Sequence, residues 1–160
     1  MSERLESEPE VPAFDRHVPR GMPVFNALAK PLLAVGVPLG PNALITIPGR
    51  KSGLPRTTPV AIIELSGRRW IWGPWGEVQW VRNLRASRRA TITVRRRKYD
   101  VVATELDPAQ RVGFFRDVLG PLARSMPFGA WFIRTMDGVD VNDPVEAAKG
   151  RSVFELRLLQ

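Results

Sequence analysis

An antiparallel α+β barrel of six strands, with helices inserted at the start, middle and late positions, is the fold the sequence predicts. Three observations carry it. Apolar or alternating runs of strand length recur at residues 43–47, 57–65, 69–72, 91–94, 99–104 and 152–158. Two junctions between them read as hairpin turns, Ser66-Gly67 and the basic Arg95-Arg96-Arg97-Lys98. Helical patterns do not alternate one for one with the strands, as an all-parallel sheet would require.

Each element follows from local chemistry. Residues 1–20 are polar, proline-bearing and without period, and are expected to form a flexible tail ahead of a single domain spanning 21–160. Val24, Phe25, Leu28, Leu32, Leu33 and Val35 recur at spacings of three and four, which predicts a helix bent at Pro31 and ended by Gly36 and Pro38. Pro59 places its strand at a sheet edge or a bulge. Gly73-Pro74-Trp75-Gly76 breaks the pattern before a helix over 78–86, with Val81 and Leu84 on one side and Arg82, Arg85 and Arg88 towards the other. Asp107-Pro108-Ala109-Gln110 predicts a helix start with an acidic cap, proline in the first turn and a reciprocating glutamine. That helix is expected to run to about Leu119 and to stop at Gly120-Pro121. A short apolar helix over 126–136 and a loop over 137–150 with one helical turn precede the final strand.

Bulk properties narrow the function. A chain of 160 residues buries roughly 70% of its unfolded surface, enough for one core without staples. It has no cysteine and a lone histidine, His17, so disulfide frameworks and thiolate or histidine metal sites are excluded. No apolar run reaches bilayer length and no leader pattern opens the chain, so a cytoplasmic protein is expected, with membrane association through the 24–35 helix as the minority reading. The net charge of +8, mostly arginine, calls for an anionic partner or reflects a solvated basic surface. The aromatics are separated in sequence from the arginine-rich tip, which weakens a nucleic-acid stacking platform, so no specific nucleic acid is expected.

The densest chemistry lies in Gly49-Arg50-Lys51-Ser52-Gly53-Leu54-Pro55-Arg56-Thr57-Thr58-Pro59, between two expected strands. Three cations, three hydroxyls and two glycines share one turn. Arg50, Lys51 and Arg56 can surround a phosphate while Ser52, Thr57 and Thr58 donate short hydrogen bonds. The stretch is not a Walker loop: Arg50 stands where a glycine must precede the lysine, and Ile45 holds the place of the first glycine. Taken alone it reads equally as a solvated basic loop.

Together with Trp80-Val81-Arg82-Asn83-Leu84-Arg85-Ala86, some twenty residues later, this motif resembles the deazaflavin-dependent nitroreductase family, which uses coenzyme F-420. The resemblance covers about residues 43–106 and the last strand. It implies a split β-barrel of the FMN-binding, pyridoxamine-phosphate-oxidase-like kind, and an oxidoreductase passing hydride from reduced F-420 to a lipophilic activated acceptor: a quinone, enone or nitro compound. In that frame Lys51, Ser52 and Arg56, helped by Arg50, hold the cofactor phosphate. Thr57, Thr58, Pro59 and Val60 lie along the ring, Trp80 and Asn83 complete the cleft, and Arg82 and Arg85 meet the acidic tail. Trp72, Trp75, Phe128, Trp131 and Phe132 are candidates for the substrate pocket. No catalytic side chain and no metal ligand stands out. The segment between the motifs is shorter than in family members, and Phe128, Trp131 and Phe132 stand in the late region where tyrosines are used. Alternatives are FMN as cofactor, and a non-catalytic carrier of the deazaflavin or another lipophilic anion on the same fold. Pairing of sheet edges leaves a homodimer open.

Overall fold

The computed structural model describes residues 42–160, so the expected tail over 1–20 and helix over 24–35 lie outside the described residues. The described chain forms one antiparallel seven-stranded sheet in the order β2-β1-β5-β6-β7-β4-β3. The strands are β1 (Ala43–Pro48), β2 (Pro55–Val60), β3 (Ile63–Leu65), β4 (Arg68–Trp72), β5 (Arg89–Val94), β6 (Arg97–Glu105) and β7 (Val153–Leu158). The helices are α1 (Gln79–Ser87), α2 (Pro108–Phe114), α3 (Gly120–Ser125), α4 (Gly129–Asp137) and α5 (Pro144–Ala148).

The seventh strand comes from the run expected over 57–65, which breaks at Ala61-Ile62. The carboxamide of Asn42 brackets the break: its Nδ2 donates to the Ile62 carbonyl at 3.0 Å and its Oδ1 accepts from the Ile62 amide at 2.8 Å. The two halves join opposite edges of the sheet. Consecutive Cα atoms are about 3.8 Å apart, so Val60 and Ile63 lie within about 11 Å of one another. The sheet must therefore curl until its edges nearly meet, giving a barrel split between β2 and β3. Pro59 does sit on an edge strand, as expected.

Alternation sorts the side chains. Ala43, Ile45 and Ile47 of β1, Ile92 of β5, Val101 and Ala103 of β6, Ile71 of β4 and Phe154 and Leu156 of β7 fill the barrel interior, where Val81 and Leu84 of α1 join them. On β4 the neighbours Trp70 and Trp72 point the other way, into a second core with Phe114, Phe115, Leu119, Ile133, Val139 and Val153. Trp72 meets Phe115 edge-on with ring centroids 5.5 Å apart. Helices α2 to α5 thus cover one outer side of the barrel, and α1 packs into its interior core.

The α2 start is the reciprocal cap read from sequence. Asp107 Oδ1 accepts from the Gln110 amide at 2.8 Å, and Gln110 Oε1 accepts from the Asp107 amide at 2.9 Å. The helical run does not stop at Gly120-Pro121. It widens into a π-helical turn, Phe115–Leu119, and continues as α3. The wider turn brings the Phe115 carbonyl within 2.8 Å of where a Cβ on residue 120 would stand, so only glycine fits there. Pro121 then occupies an early position of α3, where its missing N–H costs little.

Behind this layer Arg151 is 1% exposed. Its Nε donates to the Pro74 carbonyl at 3.0 Å, Nη1 to Ala147 at 3.0 Å, and Nη2 to Gly138 at 3.3 Å and Asp137 at 3.5 Å. The guanidinium thereby meets the negative ends of α4 and α5. Burial pushes the Asp137 carboxyl up to about 6 against the opposing pull of Arg151. The folded protein therefore binds a proton more tightly than the unfolded chain does. That stability is full below the ordinary value of 3.8 and is lost as pH rises through about 6. Asp137→Asn is expected to raise unfolding free energy at pH 8 by about 1–3 kcal/mol, with the gain disappearing below about pH 4. Urea melts of both proteins across that range check it.

Candidate functional site

Residues 49–54 connect β1 to β2 and close on themselves. The Gly49 amide donates to the Leu54 carbonyl and the Gly53 amide to the Gly49 carbonyl, both at 2.8 Å, while Ser52 Oγ accepts from the Leu54 amide at 3.2 Å. A Cβ on residue 49 would sit 3.0 Å from Ser52 Oγ and 3.3 Å from the Leu54 carbonyl, so glycine lets the loop fold this tightly.

Helix α1 anchors the loop. Asn83 is 6% exposed, and its Oδ1 accepts from the Arg50 amide at 3.2 Å and from Arg50 Nη1 at 2.9 Å. The same Nη1 donates to Gln79 Oε1 at 2.8 Å. Asn83 and Gln79 lie one turn apart on α1, so they present two oxygens to one guanidinium. Gln79 is a site residue that sequence reasoning missed; its signal was the i, i+4 spacing to Asn83, one position ahead of the motif that was read.

With Arg50 held to α1, Lys51 and Arg56 remain exposed. The β1–β2 register explains the placement of Arg56. Arg56, Thr58 and Val60 pair with Ile47, Ile45 and Ala43, all interior residues of β1, so Arg56 and Thr58 project toward the barrel mouth. Thr57 faces the other way, its Oγ1 2.9 Å from that of Thr46.

Gly49, Arg50, Lys51, Ser52, Arg56, Thr57 and Thr58 line one cleft of about 740 Å³, whose opposite wall is Gln79, Trp80 and Asn83. That size lies in the range of small-ligand sites. Trp80 is half-buried, its ring 6.3 Å from Phe154 at the inner end. No side chain caps the α1 N-terminus and its first turn carries no acid, so its first N–H groups add positive potential where Gln79 and Trp80 stand. Gly73 lies close by: a Cβ there would be 2.8 Å from Val81 Cγ2 and 3.6 Å from the Trp80 ring.

Other candidates sit elsewhere. Pro59 follows on β2 and Val60 is buried in the interior core, and neither lines the cleft. Trp72 is buried on Phe115, Trp75 is half-buried ahead of α1, Phe132 is half-buried against the helical core, and Phe128 and Trp131 stand exposed on α4. Arg85 is engaged within the fold rather than free for an acidic tail. It makes paired bonds to Glu77 at 2.6 and 2.8 Å and to Glu105 at 2.8 and 2.9 Å, and reaches Ser152 Oγ at 3.0 Å. These hydrogen bonds hold both carboxyls below the ordinary range and raise the guanidinium. Arg82 is exposed on α1.

A family model described as F420H(2)-dependent quinone reductase matches residues 30–124, more than half of the chain. The chain belongs to this family. It is accordingly an F-420-dependent oxidoreductase, as the two motifs implied. No curated protein matches the chain significantly. Among solved structures it is similar to a Bacteroides thetaiotaomicron protein assigned provisionally to 5-nitroimidazole antibiotic resistance. The identity is 11%, the TM-score 0.52, and the match covers 82% of this chain and 80% of that one. It is also similar to the heme storage protein HutZ of Vibrio cholerae, at 12% identity and TM-score 0.50, over 83% of this chain and 89% of that one. An F420-H2 dependent reductase, FDR-A, matches at 20% identity and TM-score 0.47, over 72% and 92%. At these identities the likeness concerns the fold. The split barrel of this family member has seven strands where six were expected.

Proposed function

We propose that the cleft between the 49–54 loop, β2 and α1 binds reduced F-420 and that the enzyme reduces a lipophilic quinone, with enones and nitro compounds as weaker acceptors. The observation that supports this most is the convergence of both motifs, 33 residues apart at Arg50 and Asn83, on one cleft. The residues fit the group. Cations, hydroxyls and a loop folded tightly at Gly49 suit a phosphate, and the Trp80 wall suits a flat ring.

In this reading Lys51, Ser52 and Arg56 hold the phosphate, and Arg50 fixes the loop to α1 rather than serving mainly as a contact. Thr57 and Thr58 run beside the ring, while Pro59 and Val60 support that segment from behind. When bound, the cofactor supplies a hydride. A quinone that takes up hydride and one proton becomes the quinol. The uncapped N-terminus of α1, beside the Trp80 wall, adds positive potential where negative charge develops on the acceptor. No Asp, Glu or His is among the described residues lining the cleft, and in this reading water serves as the proton source.

Consumption of reduced F-420 by the purified enzyme, followed with a quinone series, a cyclic enone and a nitroaromatic, tests the substrate class. Quinones are expected to turn over at least tenfold faster than the others. Faster turnover of the enone or nitroaromatic would overturn the quinone assignment, and binding without turnover of any acceptor would favour the carrier.

A further inference from the structure

We propose that the outer face of α4 docks on an anionic lipid bilayer. The helix buries Gly129 and Ile133 against the aromatic core behind β4. At about 100° per residue, Trp131 and Thr135 fall on the opposite side, and Phe128 stands just outside the first turn as its N-cap. Phe128 is 81% exposed and Trp131 64%.

The fold itself does not explain these aromatics. Phe128 adopts φ 61, a left-handed conformation that bulky residues seldom take and that costs on the order of 1 kcal/mol. Its side chain then gains almost no burial in return. A glycine or asparagine would satisfy the backbone better. Trp131, one turn on, is likewise presented outward.

The charges beside them select the partner. Arg134 lies on the same outward side of α4 and Arg124 ends α3 just before it; both are exposed, and neither makes an ion pair among the described residues. The nearby acids face elsewhere: Asp137 is half-buried at the far end of α4, and Asp117 is held by Arg116. Aromatic rings seat at the headgroup level, and guanidinium groups pair with lipid phosphates. A second copy packed face to face would instead gather four guanidinium groups into one interface. The proposal is independent of the substrate reading, since vesicle binding needs neither cofactor nor acceptor.

Flotation of the full chain with phosphatidylcholine vesicles, with and without phosphatidylglycerol, tests it. Wild type is expected to float with the anionic vesicles and at least tenfold less with the neutral ones. Phe128→Ser/Trp131→Ser and Arg124→Gln/Arg134→Gln should each weaken binding about tenfold or more, as expected for about 1 kcal/mol per basic residue at an anionic surface. All four side chains are exposed, so both double variants should retain the wild-type melting curve. No flotation of wild type, or unchanged flotation in both variants, overturns the proposal. So does binding that is lost only on deleting residues 24–35, or self-association that disappears with the aromatic pair, which would assign the face to a second copy.

Discussion

Arg151→Met is expected to lower the unfolding free energy by about 3–5 kcal/mol. Replacing a buried ion pair by apolar residues is often harmless, because both charges leave together. Here the acceptors include the carbonyls of Pro74, Asp137, Gly138 and Ala147, which no side-chain substitution removes. Methionine fills most of the volume and leaves them without donors. Each orphaned acceptor costs about 1–3 kcal/mol, reduced wherever water can enter. Arg151→Lys should fall between, since an ammonium can reach one or two of the carbonyls but lacks the planar fork. Urea denaturation of the three proteins measures this; a loss under 1 kcal/mol for the methionine variant would refute the bridging role. Because Pro74 lies in the segment leading into α1, the same substitution should also loosen the cleft wall and weaken cofactor binding.

Lys51→Ala and Arg56→Ala are each expected to weaken F-420 binding tenfold or more, and the double variant about a hundredfold. A charge-assisted hydrogen bond contributes about 1.5–3 kcal/mol, and the exposure of both groups brings that toward the lower end. One factor of ten corresponds to about 1.4 kcal/mol. Among the described residues neither side chain has a partner that its loss would strand, so folding should be unaffected. Fluorescence titration with the purified cofactor, repeated at rising salt, reads the effect, and the variants should also lose salt sensitivity. Unchanged affinity in both single variants would reject the phosphate site. Arg50→Ala should act differently: it removes the tie to Gln79 and Asn83, so the loop gains freedom and affinity falls through lost preorganisation.

Features set by neighbours in sequence were legible. The Asp107–Gln110 cap, the Ser66-Gly67 turn, the edge position of Pro59 and the apolar side of α1 all follow from residues within one or two turns of each other. The motif residues that line the cleft were read from their resemblance to a family, since the cleft itself joins segments 33 residues apart. Features set by distant partners were not. The break at Ile62 depends on Asn42, twenty residues earlier. The continuation through Gly120-Pro121 depends on a widened turn that no propensity encodes. Arg85 read as a surface cation until Glu77 and Glu105 closed on it from both sides. Arg151 looked like an ordinary residue after a glycine, and only the meeting of two helix ends makes it central.

The strand order also bears on how the protein is made. β1, β2, β5 and β6 all lie within residues 43–105 and pair with one another, while β3 and β4, inserted between β2 and β5, form a hairpin of their own. Yet Trp70 pairs with Glu155, 85 residues later, and only β7 joins the two groups. A nascent chain emerging from the ribosome must therefore keep two half-sheets apart, with apolar faces uncovered, until its closing segment is translated. Completion is a late, long-range event, and the partly made protein is a natural client for chaperones.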